Sequence, residues 1–567
     1  EDDRSCGGEA CYVDEENDFA SYDGFGHYRR QTITSNFGPR RETFTTFNSS
    51  PTPTDRLGKR NGIFAIAPDQ PWIIDLYDQQ TVTEGTQTAY KRFCFDPDKG
   101  RLTRTRIMLG ALPVPTDLVS ALDYDNNGNL KRESYYGGDG AVPAPADLCA
   151  FDTTITTPQY AIRHEVPFGI RTKSYYVVPG SNDTKLLSAY DVDLDSSTGL
   201  PTFSRDAAGL TTEFRYSIMG RLKEVHPPNA AWTEYGYKNA GDPGYPFATV
   251  IIQDHGVNPG NVDILTDNQV EFDGFGRVYN ETTTMPGGVK SIRRTTYNGN
   301  GWKATVSERG TDPTAHLTTF SNYDPFGRAH TITAPDNTQT RFDYIGAKTV
   351  THTVNIAMPA GPTDVTTTET HDAFGRLIAV EEPSGTATNL ADPRTANVKT
   401  EYAYEVGNHL TKVEAMDFTD ASRPHQLRTF TYDLRGFLND EFHPEKGTTR
   451  YSGYDARGHL LRKQDGTSST FDLTYAYDAS ERLTRIQSTV GGGAIKEFYF
   501  DSVSDGVHTL SGPGRLLKSV RHNRTAALGD IQVTDYYAYD NAGRVSSKET
   551  RLSTGPVFTQ NVTYTDL

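Results

Sequence analysis

The residues in this chain that could do chemistry are its acids and its four cysteines. Asp123-Tyr124-Asp125-Asn126-Asn127-Gly128 has the alternation of oxygen ligands that opens a calcium loop. The twelfth position is Ser134, where such a loop needs a bidentate Glu, and no flanking helices are evident. The same residues also read as a hairpin turn, which is the reading favoured here. Asp191-Val192-Asp193-Leu194-Asp195 is a second acidic loop with the same two readings. No metal ligand is assigned to either. His164-Glu165 is followed by Val166-Pro167, and the proline breaks the helix a His-Glu-x-x-His zinc site requires. Neither a phosphate-binding glycine loop nor a Gly-x-Ser-x-Gly elbow occurs. A carbohydrate-active enzyme on a β-solenoid, which would need a pair of positioned carboxylates among the many Asp and Glu, is a third and weaker class. The favoured reading is a non-catalytic chain with no cofactor.

Cys6, Cys11, Cys94 and Cys149 are even in number, which permits two disulfides in an oxidising compartment. A four-Cys zinc site lacks any Cys-x-x-Cys pair, and unpaired buried thiols are the plain alternative. We expect Cys6 with Cys11, since Gly7-Gly8 lets the short loop fold back within disulfide reach. We expect Cys94 with Cys149, closing a loop that the chain-entropy model values at roughly 4 kcal/mol. Cross-pairing stays open.

The acids are also part of a repeat. Tyr454-Asp455-Ala456-Arg457-Gly458-His459-Leu460 follows Tyr432-Asp433-Leu434-Arg435-Gly436-Phe437-Leu438 and precedes Tyr477-Asp478-Ala479-Ser480-Glu481-Arg482-Leu483. The seed, aromatic-Asp-x-x-Gly, occurs nine times. The copies are Tyr22-Asp23-x-x-Gly26, Tyr124-Asp125-x-x-Gly128, Phe272-Asp273-x-x-Gly276, Tyr323-Asp324-x-x-Gly327 and Phe342-Asp343-x-x-Gly346. The others are His371-Asp372-x-x-Gly375, Tyr432-Asp433-x-x-Gly436, Tyr454-Asp455-x-x-Gly458 and Tyr539-Asp540-x-x-Gly543. The copy at Phe342 is displaced from the period. A repeat of this kind decides the fold before any other feature.

Its mechanics are those of a hairpin. The aromatic ends a strand, and the Asp accepts from the backbone two residues on. The Gly takes a positive φ, and the following Leu or Val opens the next strand. Glu481 stands in the Gly slot of its repeat, so that copy is expected to turn differently. Beyond the turns both strand faces become polar, as in Arg462-Lys463-Gln464-Asp465 and Ser546-Ser547-Lys548-Glu549. A sandwich needs a consistently apolar face. A long sheet wetted on both sides would instead coil or enclose water.

Three regions are expected: an irregular segment at 1–60 with the first motif, an insertion-rich repeat region at 61–174, and a regular array at 175–567. The chain lacks an initiator Met and stops at Tyr564-Thr565-Asp566-Leu567 in what looks like a further repeat, so it is expected to be a segment of a longer one. A net charge of −17 argues against nucleic acid, which needs a cationic footprint. No apolar run approaches the ~18 residues of a membrane span.

The repeated Tyr-Asp-x-x-Gly-Arg-Leu resembles the YD repeat of the RHS-repeat family, over roughly residues 20–567. That family includes Tc toxin shell components, polymorphic-toxin RHS proteins and teneurins. The resemblance implies an all-β fold, a spiral of hairpins wound into a hollow shell. It also implies a non-catalytic role, enclosing and delivering a C-terminal effector or toxin domain of the same longer chain. The alternative is a cell-surface adhesion protein that binds glycans or protein partners. Either role implies a secreted or cell-surface location. Many bacterial members carry an aspartyl self-cleavage site in a C-terminal core. Asp324-Pro325-Phe326-Gly327 shares its seed, but Arg328-Ala329-His330-Thr331 does not continue it, so no catalytic residue is carried over.

Free-thiol titration of the denatured, unreduced protein should find none of the four cysteines reactive. Four reactive thiols would place the chain in a reducing compartment.

Overall fold

The computed structural model describes residues 11–22, 27–47, 59–60, 63–64, 76–96, 99–149, 157–181, 183–257, 264–285, 287–346, 348–358, 361–382, 398–417, 424–466, 472–490, 492–525 and 529–564. Among them the chain forms one antiparallel sheet of 39 strands. Strands pair in sequence order, from Val13–Asn17 on Arg30–Ser35 to Val545–Leu552 on Val557–Asn561, except that a separate hairpin of Lys59–Arg60 on Ile63–Phe64 lies between the paired strands Arg41–Phe47 and Tyr77–Glu84. The helical turns among the described residues are two short 3-10 segments, Phe19–Ser21 and Pro167–Gly169.

Local sequence explains the strands. Thr349–Met358 pairs with Gly361–His371, and the Thr353 and Thr366 hydroxyls meet at 2.9 Å. Thr296 and Thr305 meet in the same way at 2.7 Å. Such cross-strand pairs stabilise a sheet without requiring an apolar face. Among the described residues 20 apolar and 19 polar side chains are buried, so no continuous dry core exists there. The chain exposes 31950 Å², against about 20,000 Å² for a compact protein of its mass.

The same turns that define the repeat also curve the sheet. Thr431 pairs with Asp440, but Tyr432 pairs with Leu438, so one strand gains a residue. The ladder slips likewise at Glu271/Phe272, Thr370/His371, Ala403/Tyr404 and Ala538/Tyr539. A bulge bends its strand and increases the local twist. Bulges repeated along one edge therefore curl the sheet steadily to one side.

The curl brings the chain back onto itself. Glu84 meets Arg376, Thr116 meets Arg435, Tyr160 meets Asp455 and Asn229 meets Asn541. These partners lie 292 to 319 residues apart, which is about two dozen strands of the meander. At ~4.8 Å per strand, such a coil has a circumference on the order of 115 Å and a diameter of about 37 Å.

The insertion-rich stretch is pinned rather than loose. Arg106 and Asp117 form a buried ion pair at 3.0 Å. The Arg106 guanidinium also donates to the carbonyls of Pro145 and Ala146. Cys94 and Cys149 are joined by a disulfide with Cα atoms 5.4 Å apart, beside a small cluster of Val119, Ala144, Leu148 and Tyr136. The expected Cys6–Cys11 pair lies outside the described residues, because Cys6 does. Asp23 and Gly26 of the first motif copy lie outside them as well.

Two expectations are corrected. Asp343 is not a turn residue. It sits inside the strand Gln339–Ile345, paired with Thr351, and the chain turns only after it, at Gly346. The aromatic that takes the repeat's place there is Tyr344, two residues beyond Phe342, because Arg328 of the preceding turn stands over it. Glu481 also turns in the ordinary way. Its φ is +65°, its N–H donates to the Asp478 carbonyl at 3.0 Å, and its carboxylate is held by Arg457 at 3.0 Å. A side chain in this strained region is kept where surrounding contacts fix it.

Gly458 has φ +88°, and a Cβ there would come within 2.9 Å of the Phe437 ring. Gly458→Val should therefore cost at least ~1 kcal/mol. The check is a lowered denaturation midpoint, with faster amide exchange in the repeats around it.

Candidate functional site

Eight of the repeat's turns are each assembled on one carboxylate, that of Asp125, Asp273, Asp324, Asp372, Asp433, Asp455, Asp478 or Asp540. Asp273 accepts the backbone N–H of Phe275 at 2.9 Å and of Arg277 at 3.0 Å through Oδ1, and Arg277 Nε at 2.8 Å through Oδ2. The Arg277 bond in particular holds Asp273 below the usual carboxylate range. Asp324, Asp372, Asp478 and Asp540 repeat the pattern with Arg328, Arg376, Arg482 and Arg544. Asp125 uses Asn129, Asp433 uses Arg435 and Asp455 uses His459 as the side-chain donor. The Asp125 oxygens are thus engaged in a turn. Asp191 faces Lys173 and Arg205, and Asp193 also pairs with Arg205. Among the described residues no group of three metal-ligating side chains converges.

Sequence reasoning missed what links one repeat to the next. The residue after the Gly lies over the following repeat's aromatic ring. Arg277 stands 4.1 Å from the Tyr297 centroid, Arg328 4.0 Å from Tyr344 and Arg544 4.2 Å from Tyr564. Where that residue is aromatic it stacks instead, Phe437 on Tyr454 at 4.4 Å and His459 on Tyr477 at 4.8 Å. The tyrosine hydroxyl then donates back to the carbonyl that opens the preceding return strand. Examples are Tyr297 to Val278, Tyr404 to Leu377, Tyr477 to Leu460 and Tyr564 to Val545, at 2.8 to 3.0 Å. A stack and a buried hydroxyl bond each contribute on the order of 1 kcal/mol. The recurrence of Arg after Gly was the available signal, but its partner lies a whole repeat away.

A second set of contacts closes the seam between coils, where motif turns of the later coil sit on the opposite strand ends of the earlier one. Arg376 donates to Glu84 at 2.9 Å. Arg435, almost fully buried, donates to Asp139 and Asp433 at 2.8 Å and to the Thr116 carbonyl at 2.7 Å. Asp455 is completely buried. It accepts from Tyr160 Oη at 2.6 Å, from His459 Nδ1 at 2.9 Å, and from the backbone N–H groups of Arg457 and His459. Against the cost of burial, the bonds from His459 and Tyr160 hold the Asp455 carboxyl below its ordinary range. The bond to Asp455 in turn raises His459. Nearby, the bond from His164 holds Glu133 down to about 2, against the opposing effect of burial. Every acid here has a donor, so the network fastens the coils and leaves no free base or nucleophile within it.

No protein-family model and no curated protein matches the sequence. Solved structures do match in fold. The crystal structure of TcdB2-TccC3-Cdc42 aligns with a TM-score of 0.58 at 11% identity, covering 95% of this chain and 36% of that one. The crystal structure of TcdB2-TccC3 aligns with a TM-score of 0.57 at 12% identity, covering 96% of this chain and 34% of that one. The likeness is one of fold: the long antiparallel sheet aligns along nearly its whole length with part of these structures. The chain spans about a third of the length of the structures it matches.

Two outcomes follow from the seam. Arg435→Met leaves Asp139 and Asp433 uncompensated, which should cost roughly 3–5 kcal/mol, and adding Asp139→Asn should restore part of it. The pH dependence has two limbs. Glu133 has a folded value of about 2 against an ordinary 4.5, so its contribution is full above pH 4.5 and is lost as pH falls toward 2. His459 is raised above 6.5, so its contribution is full below that pH and is lost as pH rises through the raised value. Thermal stability should peak at about pH 5 to 6. A profile flat from acid to alkaline pH would contradict the Glu133–His164 and Asp455–His459 pairings.

Proposed function

We propose that the chain is a non-catalytic wall segment of a container, wound around an effector or toxin domain that it encloses and delivers. One observation carries this reading: a single bulge-curved sheet, without a continuous apolar core among the described residues, returns onto itself after about two dozen strands. A sheet of this kind is stable with water or a guest on its inner side, because its cohesion comes from turn carboxylates, stacked guanidinium groups and strand ladders. The fold shared with the Tc toxin shell supports the same reading. The guest would be protein from the same longer chain, in a secreted or cell-surface setting where the Cys94–Cys149 disulfide persists.

The alternative, an adhesive outer surface, makes a different demand on the molecule. An unfolded reporter joined after Leu567 should be digested by trypsin at least about tenfold more slowly than the same reporter free in solution, if the coil encloses it. Equal rates would overturn the container reading and leave the outer surface as the working one.

A further inference from the structure

The strap at 138–149 pairs with no strand. It leaves the end of Leu130–Gly137 and runs back across the sheet, over Val119 and Arg106 of the two preceding strands, to Cys94 on Gln87–Phe95. Pro143 and Pro145 have no N–H to offer a ladder. Past the rim, few ties hold the strap down. Ala144 donates to the Pro115 carbonyl at 2.7 Å, and the Pro145 and Ala146 carbonyls accept from Arg106 at 2.6 and 3.3 Å. Ala144 and Leu148 bury their side chains. The covalent tie is Cys94–Cys149.

The strap also fixes what the seam grips. Its first residues, Gly138 and Asp139, lie on the rim of the earlier coil that meets the later one. Asp139 donates its N–H to the Tyr454 carbonyl at 2.5 Å. Its carboxylate accepts from the Tyr454 N–H at 3.0 Å and from Arg435 at 2.8 Å. The other acceptor that Arg435 finds across the seam is the Thr116 carbonyl. That carbonyl belongs to a turn shaped by Asp117, which accepts the N–H groups of Leu109 and Val114, both at 2.9 Å. Asp117 is paired with Arg106, whose guanidinium also binds the strap's carbonyls. Both acceptors of Arg435 across the seam therefore depend on a docked strap.

The two sulfurs differ in access. Cys94 is buried and Cys149 is exposed, and a cleft of about 460 Å³ lies beside Cys149, lined by Asp78, Arg92, Phe93, Pro113 and Asp147 among others.

We propose that this disulfide is a redox-sensitive clasp on the seam. A low-molecular-weight thiol reduces it, the strap lifts, and Thr116 and Asp139 lose their fixed positions around Arg435. The thiolate attacks the exposed Cys149 sulfur, forms a mixed disulfide and expels Cys94 as a thiolate, which takes up a proton. A second small-molecule thiolate attacks the small-molecule sulfur of that mixed disulfide and releases Cys149, which is protonated in turn. Two electrons and two protons pass to the cysteine pair, and two thiols become one disulfide. The clasp stays shut in an oxidising setting and opens in a reducing thiol pool. It acts on the seam and is independent of whether the coil holds a guest.

Amide hydrogen exchange of the full chain, before and after treatment with reduced glutathione, tests it. Glutathione should reduce the disulfide in the folded chain and speed exchange at the Tyr454 and Ala456 amides by about tenfold or more. Those amides donate across the seam to Asp139 and Gln159. The Phe275 and Arg277 amides, bonded within their own turn, should be unchanged. The Cys94→Ser/Cys149→Ser variant should show the fast pattern without glutathione, and if it fails to fold the treated chain still decides. As a second readout, Arg435→Met should lower the melting temperature of the oxidised chain by about twice as much as that of the reduced chain, or more. A disulfide that glutathione leaves intact, faster exchange confined to 140–149, uniform acceleration along the whole chain, or an Arg435→Met shift indifferent to redox state would overturn the proposal.

Discussion

The whole structure depends on one arrangement, a carboxylate that accepts two backbone N–H groups of its own turn and one side-chain donor. Asp273, Asp324, Asp372 and Asp540 show it with little variation. The bonds are local, so each turn is specified by a handful of residues and needs no distant partner to form. What the turn fixes is the direction in which the next residue points. That residue, usually Arg, is delivered onto the next aromatic ring, and the ring's hydroxyl returns to the preceding strand. Short-range order in one turn thereby becomes longer-range order between turns, as in other repeat proteins whose stability is a sum of unit and nearest-neighbour terms.

Curvature enters at the same place. The bulge before Tyr432 or Tyr539 belongs to the turn's own geometry, and its repetition on one edge accumulates into a coil. Size is then set by a small angle applied many times, and the seam contacts select the angle at which Glu84 meets Arg376 and Tyr160 meets Asp455. The seam is mostly charged and hydrogen-bonded, with its ions compensated in pairs. Such a network contributes register more surely than it contributes net stability, since burying ions is costly even when they are paired.

How much of this was legible in the sequence varies by residue. Asp455 and Gly458 could be read as a turn because their partners lie within four positions. The two-sided wetness of the strands followed from Arg462 to Asp465, and the coil from that wetness. Cys94 and Cys149 could be matched because both flank the one stretch where the repeat is weak. Asp343 was misread because the seed alone does not fix which aromatic ends the strand. Tyr344 is set by Arg328, a repeat away. Glu481 was misread because a residue other than Gly is costly at positive φ, and only the Arg457 contact, contributed by the neighbouring repeat, shows what holds it there. The seam had no sequence signal at all: nothing local marks Asp139 as the partner of Arg435.

The single meander has a mechanical corollary. Apart from the step from Arg41–Phe47 to Tyr77–Glu84, each described strand's neighbours in the sheet are also its neighbours in the chain, so pulling on a chain end loads the hydrogen bonds a hairpin at a time, as in opening a zip. Pressure from inside the coil acts differently: the hoop tension is shared by all the bonds of a ladder at once. The wall is stiff against expansion and weak against peeling. The hydroxyl latches and the rim contacts act as catches along the path, each released in turn as the strip unwinds.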